Sequence, residues 1–366
     1  FYAGGKSSFE NSRKYRVNAP CGKGFNRLFY IFLRGYNFFI KKLSARSFYY
    51  NHHWDFVEEF CFYRDKNFKP EIVYSLAYSP FGLSLVDWML HQLPKGIPLI
   101  QYFMDYSSPK GFKKNRYLDS VLRHANEIWS LTEEIVSEIK STAMTYGKKV
   151  QLQPAFHCEV PHLWKRPSEF ASGNPIQCIV VGNFYLPRMA KVLKRVWSAV
   201  QRIVPGLGPI DWYCQAEGVK RVYDEVGELG PEIRHTGFFS GQELTSRLIA
   251  ADIAILPFNA FGEPENDYAR FSLPSRLTEI LSVGLPLFCI ASEKTPVANY
   301  LKKNNTGYVC SAHNEIKIAE QLAQFIKDTN LREELGARAR RFAEQEFPLN
   351  LFQNFLYTKI SMLSSK

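Results

Sequence analysis

Apolar and polar positions along this chain follow two alternating periods. Short apolar runs bounded by turn residues read as strands at 70–76, 96–103, 127–131, 150–154, 176–181, 210–214, 233–237, 252–257, 287–290 and 306–310. Between many of them the apolar residues recur every three to four positions. Leu85, Val86 and Met89 mark one side of a helix over 83–93, and 116–124 has the same character. Thr132 opens another helix. Pro187 opens one whose apolar face carries Met189, Val192, Leu193, Val196 and Val200. Ser240, with Glu243 three residues on, reads as a capping box. Helices over 314–328, 331–345 and 349–361 close the chain. Strands alternating with helices at this spacing predict mainly parallel sheets covered by helices on both faces. The stretch 157–174 breaks the pattern with Pro161, Pro167 and Gly173 and reads as a linker. An α/β domain on each side of it follows.

Composition supports that division. The 366 residues suffice for two ordinary domains, and the 46% apolar fraction can fill their cores. No run of eighteen apolar residues and no signal-peptide pattern occurs, so the expectation is a cytoplasmic protein. The seven cysteines are scattered without a CxxC pair or zinc spacing, as reduced core thiols would be. His52, His53 and Asp55 lack metal-site geometry and read as surface. The opening Phe1-Tyr2-Ala3-Gly4-Gly5 reads as a loop, where such a domain usually opens on an apolar strand. The numbered chain is therefore expected to lack its first strand.

Charge adds a separate feature. The net charge is +11, and residues 11–50 hold nine Lys and Arg, eleven Phe and Tyr, and no acid. Cations and interfacial aromatics together suit an anionic membrane surface, on the inner face of the cell membrane. The same segment also fits a core helix over 27–44 with its charges solvated. A nucleic-acid module is the least expected, since the charge is confined to one segment.

The candidate chemistry centres on 271–288. Pro274 suits a helix start, Leu277, Ile280 and Leu281 keep helical spacing, and Gly284 followed by Pro286 ends the helix. Residues 287–290 then form a buried strand. Ser275, Arg276 and Glu279 fall in the first two turns. There Arg276 offers a fork of donors to phosphate, and Glu279 can accept from sugar hydroxyls. An ordinary capped helix with a solvated Arg and Glu fits the same residues.

Pro274, Ser275, Arg276, Glu279, Gly284 and Pro286 resemble the Pro-Ser-Lys/Arg-x-x-Glu-x-x-x-x-Gly-x-Pro pattern of GT-B glycosyltransferases, retaining family four in particular. The resemblance implies two Rossmann-like domains facing each other across a cleft. Residues 1–165 would bind the acceptor and 166–345 the nucleotide-sugar donor, with a helix over 346–366 returning to the first domain. It implies that Arg276 and Ser275 face the donor phosphates and that Glu279 holds the ribose. Gly182, Asn183, Arg188 and Lys191 would also meet the phosphates, and the Gly237-Phe238 backbone the base. Solvated helix charges and core Phe side chains are the competing readings there. No cofactor and no catalytic metal are implied.

Two departures stand out. The family has a further Glu eight positions before Glu279, where this chain has Phe271. It often has His-Asp at the end of the 96–103 strand, where this chain has Met104-Asp105. Asp105 is the candidate base for the acceptor hydroxyl, and a structural loop cap is the other reading. The implied activity is sugar transfer to a lipid-linked or envelope-glycan acceptor. A nucleotide-sugar 2-epimerase and a non-catalytic GT-B binding subunit are the alternatives.

Overall fold

The computed structural model describes residues 72–76, 80–93, 95–104, 116–153, 160–164, 176–184, 186–259 and 267–364. All lie in one compact unit, Pro70–Lys366. Residues 11–50 and Asp105 therefore lie outside the described residues, as do Cys21, Cys61 and Cys158.

A first sheet is built from β1 (Val73–Ser75), β2 (Leu99–Phe103), β3 (Glu127–Ser130) and β4 (Val150–Leu152), in the order β1-β2-β3-β4 and all parallel. Helices α1 (Pro80–Gln92), α2 (Arg116–His124) and α3 (Glu133–Thr145) connect successive strands. The α3 N-cap is made as its sequence suggests, with Thr132 Oγ1 accepting from the Ile135 amide at 3.3 Å.

The second sheet has six parallel strands. They are β5 (Cys178–Val181), β6 (Ile210–Tyr213), β7 (Ile233–Gly237), β8 (Ile253–Asn259), β9 (Leu287–Ala291) and β10 (Tyr308–Cys310). Their order is β10-β9-β8-β5-β6-β7. The chain runs outward from β5 through β6 to β7, then crosses back to β8 on the other side of β5. Strands β5 and β8 are neighbours, so the direction of winding reverses between them. In open parallel sheets that reversal leaves a crevice at the carboxyl ends of the two strands, where ligands bind.

Helices cover both faces. Trp197 of α4 (Arg188–Ile203) and Phe325 of α10 (Glu315–Lys327) pack with Trp212 and Phe288 in one core. Leu244 and Leu248 of α6 (Gly241–Ala250) and Leu277 and Leu281 of α8 (Arg276–Ser282) pack in the other. The capping box at the start of α6 does not form. Ser240 makes no side-chain cap bond, and Glu243 pairs instead with Arg247 one turn ahead at 3.3 Å. An i,i+4 ion pair on an exposed face competes with the reach back to the cap.

Three short or late elements were not distinct in the periodicity: α5 (Ala216–Val226), α7 (Asp267–Phe271) and α9 (Pro296–Asn304). The chain ends in α11 (Thr329–Glu346) and α12 (Leu349–Ser364). Phe355 of α12 packs against Trp129 with ring centres 5.0 Å apart, and Lys359 pairs with Glu127 at 3.0 Å. Among the described residues no helix is long and apolar enough to cross a membrane.

Candidate donor site

The site assembles at the carboxyl end of β5. Gly182 follows that strand with φ +87°, in the left-handed region that a side chain would strain. Its amide donates to Tyr213 O and its carbonyl accepts from Trp212 Nε1, each at 2.8 Å. A buried indole on β6 thus fixes the turn after β5, and satisfies its own N–H in doing so. A side chain at Gly182 would come within 3.4 Å of Arg276 Cγ. The backbone turn and the basic side chain, 94 positions apart by their residue numbers, therefore lie side by side with room for little more than a hydrogen between them.

Arg276 is the first residue of α8, with Ser275 as its N-cap. The exposed Ser275 makes no side-chain cap bond. Helix α8 spans only seven residues, so the positive charge at this point comes from the guanidinium rather than from a long helix dipole. Arg276 Nη1 donates to both oxygens of Glu279, at 2.7 and 2.8 Å. The two side chains are about a third exposed, at 30% and 35%. A pair this accessible contributes at most about 1 kcal/mol to stability. It does hold both groups in one place, and leaves Nε and Nη2 of Arg276 available for other acceptors.

Beside this pair, Cys214 joins three loops. Its amide donates to Gly237 O at 2.9 Å, and its carbonyl meets His235 Nε2 at 2.9 Å. Its thiol donates to Asn183 Oδ1, also at 2.9 Å. Gly237 (φ +119°) ends β7, and the next residue, Phe238, is 46% exposed, so its ring is not a core ring. Phe239 is the ring that packs inward. Tyr213 meets it edge-on at 5.1 Å, and the Arg247 guanidinium lies 3.7 Å from its centre. Arg188 opens α4 half-buried, while Lys191, one turn along, is exposed.

The fold thus brings Gly182, Asn183, Gly237, Arg276 and Glu279 to one group of strand ends. Phe271 stands apart from that chemistry. It is buried, with its carbonyl accepting from Thr132 Oγ1 at 3.3 Å, and Arg270 lies over its ring at 5.0 Å. Sequence reading overlooked Trp212, Cys214 and Gly218. Trp212 carried a signal, because an indole in a central strand needs an acceptor near its edge. Among the described residues no group of three His, Cys, Asp or Glu side chains could hold a metal ion.

Residues 164–342 match the family described as Glycosyl transferases group 1. That match covers just under half of the chain and includes Gly182, Asn183, Arg276 and Glu279. The architecture of the two parallel sheets is that of GT-B enzymes. Sucrose-phosphate synthase from Thermosynechococcus elongatus superposes with a TM-score of 0.64 at 14% identity, over 87% of this chain and 80% of its own. HepE from Anabaena, solved with UDP, gives 0.55 at 14% identity over 84% of this chain and 81% of that one. A 71-residue stretch is 30% identical to N-acetyl-alpha-D-glucosaminyl L-malate synthase of Bacillus anthracis. That match spans 19% of this chain and 18% of the curated relative.

Proposed function

We propose that this protein is a glycosyltransferase that takes its sugar from a nucleoside-diphosphate sugar bound at the β5–β8 crevice. The acceptor would be a glycan or lipid-linked intermediate of the cell envelope. The observation that carries the donor assignment is the Arg276–Glu279 pair held against the Gly182 turn at the point where the sheet reverses. Backbone bare of a side chain, a guanidinium and a carboxylate at one strand end supply what a diphosphate and a ribose need. HepE, which shares the fold, has been solved with UDP-glucose. TarM of S. aureus, similar at a TM-score of 0.52, has been solved with UDP and alpha-GlcNAc-glycerol. The basic, aromatic segment 11–50 supports an acceptor at an anionic membrane surface. No metal or other cofactor belongs to this reading; the developing charge on the leaving diphosphate would be met by Arg276, with Arg188 and Lys191 as further cations.

Calorimetric titration tests it. Arg276→Ala is expected to weaken binding of the nucleoside diphosphate at least about tenfold, or about 1.4 kcal/mol. Glu279→Ala is expected to weaken nucleoside and nucleoside diphosphate alike, because its partner is the ribose. Unchanged affinity in both variants would end the donor assignment.

A further inference from the structure

Asn183 is an exposed residue in the turn after β5, and its carboxamide has two chemically opposite ends. The oxygen end is occupied by the Cys214 thiol at 2.9 Å. The surroundings give that contact its direction. Cys214 itself is 1% exposed at the end of β6, and burial pushes its thiol up to about 11, so it remains a protonated donor at neutral pH. Gly218, in the first turn of α5, closes over the pair. A side-chain carbon there would stand 2.5 Å from Cys214 Sγ and closer still to Asn183 Oδ1. Only a residue without a side chain lets helix α5 approach a carboxamide and a thiol this closely.

From this geometry we infer that Cys214 is a positioning residue: by engaging Asn183 Oδ1, it leaves the Nδ2 end of the amide for the diphosphate of the donor. The inference rests on the donor site proposed above, and adds what sets its polarity. An amide turned the other way would offer its oxygen to an anion and repel it. Turned this way, it offers two N–H donors beside the Gly182 turn, where a side-chain carbon would stand 3.4 Å from Arg276 Cγ. The thiol touches no substrate in this arrangement. It acts only through Asn183.

Three variants and two ligands separate this role from plain packing. UDP, GDP and ADP are titrated into the full chain, and the tightest is compared with its own nucleoside. Cys214→Ala removes the donor, and is expected to weaken the diphosphate about fivefold, the usual size of one hydrogen bond, while nucleoside affinity stays within about twofold. Cys214→Ser keeps an O–H donor and is expected to restore diphosphate affinity. Asn183→Asp fixes an acceptor in place of the amide, and is expected to weaken the diphosphate more than Cys214→Ala does. Parental diphosphate affinity in Cys214→Ala would overturn the inference, and so would an equal loss of nucleoside and diphosphate. Failure of serine to restore binding in a folded variant would do the same. Should Arg276→Ala weaken the diphosphate while Cys214→Ala does not, only the positioning role falls. Should the parent bind none of the three diphosphates, the donor site falls with it.

Discussion

At the scale of single residues, Arg276 and Glu279 were legible as candidates for a phosphate ligand and a ribose ligand, three positions apart. Their mutual ion pair was not, because two long side chains at that spacing can meet or diverge. The pair has a consequence for the donor complex. A ribose that takes up the Glu279 carboxylate competes with Arg276 Nη1, so substrate entry redistributes the bonds seen at 2.7 and 2.8 Å. Asp105 belongs to this scale as well. It follows Met104 at the end of β2, and is the residue proposed to receive the acceptor's proton. Asp105→Asn keeps the shape and removes the basicity, so it is expected to fold, bind donor normally and lose transfer by about a hundredfold or more. Release of nucleotide on addition of acceptor reads this out, and also distinguishes transfer from 2-epimerisation. Transfer at the parental rate would place the base elsewhere; failure to fold would make Asp105 a loop cap.

At the scale of elements, the helix α8 shows why a motif glycine can be structural. Gly284, two residues past its end, has φ +68°. A side chain there would lie 3.2 Å from both the Gly336 carbonyl of α11 and the Trp164 ring. Arg340 of α11 closes the same corner, with Nη1 donating to Pro161 O at 2.8 Å and to Ser282 O. The last turn of α8 is thus tied to α11 and to the segment around Pro161. Gly284→Ala combines a left-handed backbone with a tight contact, and is expected to destabilise the fold by about 2 kcal/mol, read as a lower midpoint in urea. A midpoint equal to the parent's would show that α11 can give way. The Gly-x-Pro signature is therefore explained by packing, whereas Arg276 and Glu279 of the same motif are explained by the proposed ligand.

At the scale of the whole molecule, contacts between sequence-distant helices join the two sheets. Lys303 of α9 pairs with Glu133 of α3 at 2.6 Å, and Asn299 donates to Glu134 at 2.6 Å. The buried thiols also act at this scale. Burial pushes Cys178, Cys214 and Cys289 upward, Cys214 to about 11 from an ordinary value of 9.0. Between those two values the native protein keeps protons that the unfolded chain releases. The stability they confer is complete below about pH 9, and is lost as pH rises toward 11. Melting temperature is accordingly expected to fall between about pH 9 and 10.5, and a flat profile over that range would show that the thiols are not held in apolar surroundings.

The sequence by itself determined the alternation of strands and helices, the apolar faces and the segment that carries Arg276 and Glu279. Those features are local, set by side-chain period, proline and glycine within a few turns. Boundaries moved where hydrogen bonding outweighed apolar character: β10 begins at Tyr308 rather than near Thr306, and β8 runs on to Asn259. Only the tertiary structure decided the strand order and hence the crevice between β5 and β8, because pairing partners lie far apart along the chain. It alone brought Gly182 against Arg276, turned Phe271 inward, and set the Cys214 thiol on Asn183 beneath Gly218. Each of those contacts joins elements whose separation in sequence carries no periodic signal. Their geometry follows from how helices pack on a twisted sheet, where a close approach of two backbones is possible only at a residue lacking a side chain.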